Sequence, residues 1–517
     1  MASKKQLIQT APANGGGGGG SEGDDIASMT DHRGWLVLCI IVTIALHAID
    51  TTIVNVALPH MQGSLQANFD QISWVVTTYL LAIVIATPLV SWLAHRFGTK
   101  NVLIGSILLF TFASVLCGIS LSLNNMIAAR FFQGAAGAPL IPLAQTIMVR
   151  LSTNEDRAKL MGIMGVGVMT GPVLGPTIGG YITEYASWRW VFFINVPLGL
   201  ATAFGLSVLL KRQLRTADRK FNLLGYAMLA IFIACLQLAL DRGETLDWFD
   251  SVEMYGYLIV GCAAFWMFLV NSTTSKHPFI PPELFKDKNF MVGTFLYFLV
   301  AANMTTALIL QPTLMQKVMG YTILDTGVLL IPRGLGMMLG MALAPRILQH
   351  VNTRLLLFVG VIIMTIGIYP FAFLNVQAPA NILTAPPFFH GIGIGITFVI
   401  ASTMSYSTLK QNIQVDGATF FNLMRGLGQA LGVSIIVTVV SRYSQINQTE
   451  LVERITALTL PDEVFWQSPQ AMAVATLEIQ RQAAMIAYSN AYLALIVMAL
   501  AILPALFIMK DFKKSTI

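Results

Sequence analysis

The stretch of sequence that decides the fold is GVGVMTGPVLGPTIGGYI, from Gly165 to Ile182. Its glycines recur at every fourth position and a proline follows two of them: Gly167, Gly171, Gly175 and Gly179, with Pro172 and Pro176. Because both flanks are strongly apolar, the stretch is predicted to be a membrane helix and not a loop. Glycines spaced by four lie on one helix face and let a neighbouring helix approach almost to backbone contact. The prolines predict a bend, which a membrane helix tolerates when its neighbours satisfy the freed carbonyl groups.

The composition of the whole chain agrees with a membrane location. The chain has 517 residues, of which 55% are hydrophobic and 11% are charged, and its mean hydropathy is +0.70. Soluble domains carry roughly 25% charged residues. The chain is therefore predicted to be an all-α integral membrane protein, long enough for more than ten spans of about 20 residues each.

Walking along the sequence, we predict 14 membrane spans. We number them in chain order, near residues 35–57, 72–94, 101–123, 125–149, 158–183, 190–210, 222–240, 254–272, 291–316, 323–344, 355–375, 382–408, 416–441 and 485–509.

The positive charges predict the orientation of these spans. With the N-terminus in the cytoplasm, most of the 31 Lys and Arg residues fall in cytoplasmic segments, as the positive-inside rule requires. Both termini are then cytoplasmic. This distribution also explains the net charge of +6 without a nucleic-acid partner.

The spans are predicted to form two similar halves with an insertion between them. Residues 1–33, which include six consecutive glycines at Gly15–Gly20, form a disordered cytoplasmic tail. Residues 34–212 form an N-terminal six-helix bundle, 213–275 a two-helix insertion, and 276–517 a C-terminal six-helix bundle with an outer loop at 443–484. Two such halves are typical of transporters that rock around a central site. The outer loop contains two stretches with helical apolar spacing, and it is either a docking surface or a passive cap.

Charged residues inside the spans are the candidates for function, because a charge in the bilayer is costly. Asp50 in span 1 and Arg130 in span 4 are predicted to lie at similar depth and to pair. His47 precedes Asp50 by three residues and shares its helix face. Such a carboxylate could leave its Arg partner and take up a proton. The alternative is a static ion pair that only fixes helix packing.

Two further arginines, Arg333 in span 10 and Arg425 in span 13, have no acidic residue at their depth. Each therefore faces a polar cavity, a group of carbonyls or an anionic ligand. Aromatic residues beside His390 would suit an apolar, adaptable pocket, although such residues more often face lipid or the core. The candidate substrate cavity comprises Gln133, Asn303, Arg333, His390 and Arg425.

No motif in the sequence predicts an enzyme or an ATP-driven pump. There is no metal-ligand cluster, no nucleophile motif and no Walker lysine pattern. We expect no cofactor and no metal ion.

Several motifs together resemble the 14-helix drug:proton antiporters of the major facilitator superfamily, and the EmrB-like group most of all. These motifs are Asp50–Pro59 (DTTIVNVALP) in span 1, Arg130, Gln133 and Gly134 in span 4, the Gly-Pro pairs of span 5, and Trp188–Pro197 (WRWVFFINVP) between spans 5 and 6. The resemblance implies two six-helix major-facilitator bundles plus two intervening helices, a role for Arg130 in proton transfer, and a role for span 5 in closure.

The resemblance also implies partners and a location. EmrB-like pumps lie in the bacterial inner membrane and work with a periplasmic membrane-fusion adaptor and an outer-membrane channel. One motif departs from the superfamily pattern: the loop between spans 2 and 3 reads SWLAHRFGTK (Ser91–Lys100), with His95 where an aspartate is usual. Arg96 and Gly98 remain candidates for conformational gating there.

The sequence is thus interpreted as a secondary transporter that sits among membrane lipid and exports small amphipathic drugs or toxic compounds by proton antiport and alternating access. A second hypothesis is a dedicated exporter of an anionic metabolite, such as a siderophore or fatty acid. A third is a non-transporting membrane receptor or scaffold, which would have little need for a buried Asp–Arg pair.

Overall fold

The structure, a computed structural model, describes residues 32–67, 69–153, 156–210, 221–454 and 469–508. Every regular element in these ranges is a helix. The predicted disorder of the N-terminal tail concerns residues 1–33, nearly all of which lie outside the described ranges.

The N-terminal half contains spans 1 to 6, and three of these spans are interrupted. In chain order the helices are Arg33–Ser64, Phe69–Ala86 followed by Leu89–Phe97, Thr99–Gly118, Leu123–Gly137 followed by Leu140–Leu151, Arg157–Tyr185, and Trp190–Phe193 followed by Asn195–Leu209.

Spans 7 to 14 follow in the same order as predicted. Their helices are Leu223–Arg242, Val252–Thr274, Lys288–Lys317, Ile323–Leu348, Thr353–Ile368, Ala380–Ser407, Gln414–Arg454 and Pro469–Leu500. Short helical turns at Trp248–Asp250, Glu283–Lys286, Tyr369–Phe373, Gln411–Ile413 and Ala505–Ile508 complete the described secondary structure.

Each predicted span thus coincides with a helix or a pair of consecutive helices. Among the described residues, 11 helices are individually long and apolar enough to cross a membrane, or 12 if the bent pair in span 2 is one span. That pair bends by 56° between Ala86 and Leu89. Pro88 explains the bend, because it has no N–H group to continue the hydrogen bonding of the helix. Pro139 interrupts span 4 in the same way.

The outer loop expected at residues 443–484 is helical wherever it is described. Span 13 continues to Arg454 and span 14 begins at Pro469. At 1.5 Å per residue, the helix of span 13 is roughly 60 Å long, about twice the thickness of the hydrocarbon core. The helical apolar spacing predicted within this outer segment is therefore confirmed for the described residues, and its place outside the membrane stays a prediction.

The glycine face of span 5 packs against span 1 of the same half. A Cβ atom at Gly171 would lie 2.2 Å from the carbonyl oxygen of Ala48, and one at Gly175 would lie 2.1 Å from the hydroxyl oxygen of Thr52. The glycine spacing left open which helix lies against this face, and the structure shows that it is span 1. Span 5 also packs closely against the other half, where a Cβ at Gly162 would lie 2.5 Å from the carbonyl oxygen of Met341 in span 10.

The two halves meet along a surface that we call the seam. Contacts across the seam cluster toward the end of the bundle that holds Arg33, which we call the inner end after the predicted orientation. There Arg157 donates to the carbonyl of Tyr406 at 3.0 Å, and Asn422 donates to Gln145 at 2.7 Å. The described structure is therefore a state closed at its inner end.

The inserted spans 7 and 8 lie beside the seam. Their apolar side chains form one buried cluster with a residue from each half: Leu229, Ile233 and Phe268 from the insertion, with Val84 of span 2 and Leu423 of span 13. The insertion therefore contacts both halves at once.

Candidate proton-coupling site

Asp50 lies at the centre of a fully buried polar cluster in the N-terminal half. Its Oδ2 accepts a hydrogen bond from Nη1 of Arg130 at 3.0 Å. Its Oδ1 accepts from Nε2 of Gln133 at 2.8 Å and from Nδ2 of Asn195 at 2.7 Å. The side chains of Asp50 and Arg130 are both 0% exposed. The predicted pairing of these two residues is therefore present, with two neutral amides added to it.

Arg130 has partners other than Asp50. Its Nε donates to the carbonyl of Val75 at 3.2 Å, and its Nη1 also donates to Oε1 of Gln133 at 2.6 Å. The guanidinium carbon lies 3.8 Å from the centre of the Tyr79 ring, a cation–π contact. One nitrogen, Nη2, has no hydrogen-bond partner among the residues that the structure describes. These contacts stabilise the positive charge in a way that does not depend entirely on the carboxylate.

A second layer of residues orients the amides around Asp50. Ser114 of span 3 accepts from Gln133 at 2.7 Å and from Asn195 at 3.3 Å. The Cys117 thiol contacts Oε1 of Gln133 at 3.4 Å. Spans 1, 3, 4 and 6 therefore meet at one carboxylate, since Asn195 begins the main helix of span 6.

Sequence reasoning did not select Ser114, Tyr79 or Asn195. The motif WRWVFFINVP contains Asn195, so a signal was available for that residue. Nothing in the local sequence marks Ser114 or Tyr79, because their roles depend on how spans 2 and 3 pack against span 4.

His47 reaches the site indirectly. Its Nδ1 lies 3.5 Å from the hydroxyl of Tyr79, and that hydroxyl also lies 3.5 Å from Oγ1 of Thr51. The imidazole is 6% exposed. His47 therefore contacts the ring that covers Arg130, and a part for it in proton transfer stays a prediction.

The five residues predicted to line a substrate cavity do not lie together. Gln133 belongs to the Asp50 cluster. Asn303 and His390 pair with each other inside the C-terminal half, with 2.9 Å between Oδ1 and Nε2, and Asn303 also donates to the carbonyl of Leu495. Arg333 is 3% exposed, and its Nη1 donates to the carbonyl of Ala307 at 2.5 Å. In this state these three residues join helices of one half.

Arg425 is placed differently, because it lies at the seam. Two neighbours on the same helix bond to two other spans: Asn422 bonds Gln145 of span 4 at 2.7 Å, and Gln429 bonds Thr305 of span 9 at 2.9 Å. Arg425 itself is half-buried, and its hydrogen bonds go to neutral amide oxygens, to Asn422 at 3.3 Å and to Gln429 at 3.5 Å.

The gating candidates fall into two places. Gly98 ends the helix Leu89–Phe97 with φ +86, a conformation that favours glycine, and Arg96 is exposed beside it. The glycines of span 5 contact span 1 as described above. The backbone of Pro172 and Pro176 lies within the helix Arg157–Tyr185. The bend of span 5 and the gating role of these residues stay predictions.

Within the described residues, no three His, Cys, Asp or Glu side chains form a group that could hold a metal ion. Two bundles of apolar helices, one of which encloses a buried carboxylate–guanidinium pair, are typical of membrane transporters.

Comparison with known proteins identifies the family. The family model described as Major Facilitator Superfamily matches residues 40–433, so the chain belongs to that superfamily of transporters. It is 32% identical to the Multidrug export protein EmrB of Escherichia coli (strain K12), over 80% of this chain and 83% of that protein. It is 31% identical to the Fatty acid resistance protein FarB of Neisseria gonorrhoeae, over 82% of this chain and 83% of that protein.

Solved structures show the same fold at low identity. The human organic anion transporter MFSD10 superposes with a TM-score of 0.62 at 12% identity, covering 91% of this chain and 100% of that one. The proton:xylose symporter XylE superposes with a TM-score of 0.58 at 13% identity, covering 91% and 95%. The prediction of an all-helical membrane fold of the major-facilitator type is confirmed.

Proposed function

We propose that this transporter exports amphipathic compounds across the bacterial inner membrane in exchange for protons, and that Asp50 carries the proton. The observation behind the proposal is a carboxylate with no exposure to solvent, held by the N–H groups of Arg130, Gln133 and Asn195. A buried ion pair adds little to stability compared with apolar packing. Burying the two charges also costs desolvation free energy. A titratable group that is buried in spite of this cost is therefore a candidate for function.

The surroundings of Arg130 make the proton step feasible. When Asp50 is protonated, the guanidinium loses its anionic partner but keeps the Val75 carbonyl, the Gln133 amide oxygen and the Tyr79 ring. Its charge is then partly compensated instead of being left alone in the bilayer. The pair can therefore alternate between an ionised and a protonated state, as antiport requires.

The packing of helices around Asp50 connects its protonation to movement of the two halves. Asp50 ties span 1 to spans 4 and 6, and span 5 packs closely behind Ala48 and Thr52. Span 5 also reaches the opposite half at Met341. A change in the hydrogen bonds of Asp50 therefore acts on a helix that touches both halves.

The test is export from proteoliposomes under an imposed pH gradient. Asp50→Asn keeps an oxygen that can accept from Arg130 but has no carboxyl group to titrate. We expect it to insert and fold like the wild type and to lose proton-driven export, whereas Asp50→Glu keeps some. Unchanged export by the Asp50→Asn protein would overturn the proposal.

A second candidate function is the dedicated export of an anionic metabolite. Arg425 supports it, because its positive charge lies at the seam and its hydrogen bonds to the described residues go to neutral amide oxygens. The relative FarB, by its name, confers resistance to fatty acids, which are amphipathic anions. On this reading Arg425 would bind the substrate carboxylate.

The proposed setting includes other proteins. The distribution of Lys and Arg supports an inner-membrane location with both termini in the cytoplasm. The helices that extend from spans 13 and 14 on the outer side support contact with a periplasmic adaptor and, through it, an outer-membrane channel. A non-transporting receptor or scaffold would instead show no proton flux when ligand is added.

A further inference from the structure

The inner end of the seam contains a second buried carboxylate, which the proposed proton step does not use. Asp416, near the start of span 13, is 5% exposed, and Ser91 in span 2 is 7% exposed. Oγ of Ser91 donates to Oδ1 of Asp416 at 2.5 Å. This hydrogen bond joins the two halves directly.

His95 completes the contact from the N-terminal half. Its Nδ1 lies 2.8 Å from the carbonyl oxygen of Ser91, so Nδ1 carries a hydrogen. The other nitrogen, Nε2, faces Oδ2 of Asp416 at 3.9 Å. Each carboxylate oxygen of Asp416 is therefore turned toward one side chain of span 2.

The segment that leads from the insertion into span 9 partly shields this contact. Phe279, Pro88 and Ser91 line both of two small adjoining cavities, one of which also borders Asp416. A hydrogen bond to a carboxylate is about twice as strong as one between neutral groups, and partial exclusion of water strengthens it further.

We propose that Ser91, His95 and Asp416 form a latch that holds the inner end closed, with the acid supplied by the opposite half. In the superfamily pattern the loop between spans 2 and 3 carries an aspartate where this chain has His95. Here span 2 provides the hydroxyl donor of Ser91 and the imidazole of His95, and Asp416 provides the carboxylate. The arrangement makes a strong prediction, because an acid restored at position 95 would face a carboxylate across the seam and repel it.

Hydrogen exchange of the purified full-length protein tests the latch, followed at residues 89–97 and 416–424. We expect His95→Asp to speed exchange in both segments by about tenfold, the effect of losing roughly 1.4 kcal/mol. The double variant His95→Asp/Asp416→Asn should return close to the wild-type rate, because the new amide can donate to the new carboxylate.

Ser91→Ala provides an independent test by hydrogen exchange, because it removes only the hydroxyl group that donates to Asp416. It should speed exchange in both segments, whereas Ser207→Ala should not, since among the described residues that exposed hydroxyl bonds the carbonyl of Phe204 in its own helix. Wild-type exchange in His95→Asp, a double variant as fast as the single one, or equal effects of the two serine changes would each overturn the latch. None of these readouts depends on Asp50 or on transport.

Discussion

Gly171 in span 5 lies against the carbonyl oxygen of Ala48 in span 1, so closely that a Cβ atom at residue 171 would be 2.2 Å from that oxygen. The carbonyl of Gly171 in turn accepts a hydrogen bond from Thr52 at 2.9 Å. Ala48 and Thr52 lie on either side of Asp50 in the sequence. The glycine face of span 5 therefore packs against the segment of span 1 that contains the buried carboxylate.

This contact predicts a strong effect of Gly171→Ala. The added methyl group meets backbone, which cannot turn aside as a side chain can, so spans 1 and 5 must separate. We expect a loss of about 1–3 kcal/mol of stability together with a loss of export. Thermal unfolding in detergent measures the first effect.

Gly180→Ala is the matched control, because the nearest atom to its Cβ would be Cγ1 of Val56 at 3.9 Å, an ordinary contact. Equal unfolding temperatures for the two variants would show that the close approach of spans 1 and 5 does not matter.

Asn195→Ala should impair export although no charge is removed. Its side chain donates to Oδ1 of Asp50 at 2.7 Å, and the loss of a hydrogen bond to a buried charged group costs about 1.5–3 kcal/mol. We expect the initial rate of export to fall by at least tenfold. In Asn101→Ala the lost amide is exposed and, within the described part of the chain, bonds the carbonyl of Phe97, so that variant should transport normally. Similar rates in the two variants would remove Asn195 from the site.

Arg425→Gln tests the second candidate function through substrate charge. A carboxylic acid and its methyl ester have nearly the same shape but differ by one negative charge. If Arg425 binds the carboxylate, the wild type binds the acid more tightly, and Arg425→Gln loses that preference while binding of the ester is unchanged. Arg442→Gln, an exposed change on the same helix, should keep it. Equal binding of acid and ester by the wild type would count against an anion site.

Nη2 of Arg33 donates a hydrogen bond to Oδ2 of Asp156, which forms an ion pair at the inner end. This pair predicts a small contribution to stability that is sensitive to acid. Partial burial raises the pKa of the Asp156 carboxyl, but hydrogen bonds from Arg33 and from the backbone and hydroxyl of Thr153 outweigh it, so the pKa lies below its ordinary value. A lowered carboxyl pKa stabilises the fold above the unfolded pKa of about 3.9. That stabilisation is lost as the pH falls through the folded value.

Both side chains are partly exposed, so solvent screening limits the contribution to about 0.2–1 kcal/mol. The difference in unfolding temperature between the wild type and Asp156→Asn should shrink toward zero as the solution is acidified. A difference that is independent of pH would show that the carboxylate charge plays no part.

Much of this architecture could be predicted from the sequence, because each membrane helix has its own run of apolar residues. Long apolar runs placed the spans, and the glycine spacing showed that span 5 has a face for close packing. The partner of that face could not be predicted, since spacing shows that a helix approaches but not which one. The pairing of Asp50 with Arg130 followed from two charges at matching depth.

The remaining members of the site depend on rotation and packing of helices. Ser114 and Tyr79 are ordinary residues of apolar spans, and only their neighbours give them a role. Arg333 and Arg425 looked alike in the sequence, as arginines without an acidic partner. The structure separates them, because one points to a backbone carbonyl inside the C-terminal half and the other lies at the seam.

The central claim is that Asp50 carries the exchanged proton, and proton release tests it most directly. Purified protein in weakly buffered detergent solution is mixed with an amphipathic substrate, and a pH indicator follows the protons released. We predict release on substrate addition to the wild type and none from Asp50→Asn, while both proteins bind the substrate. Equal release from the two proteins would contradict the account.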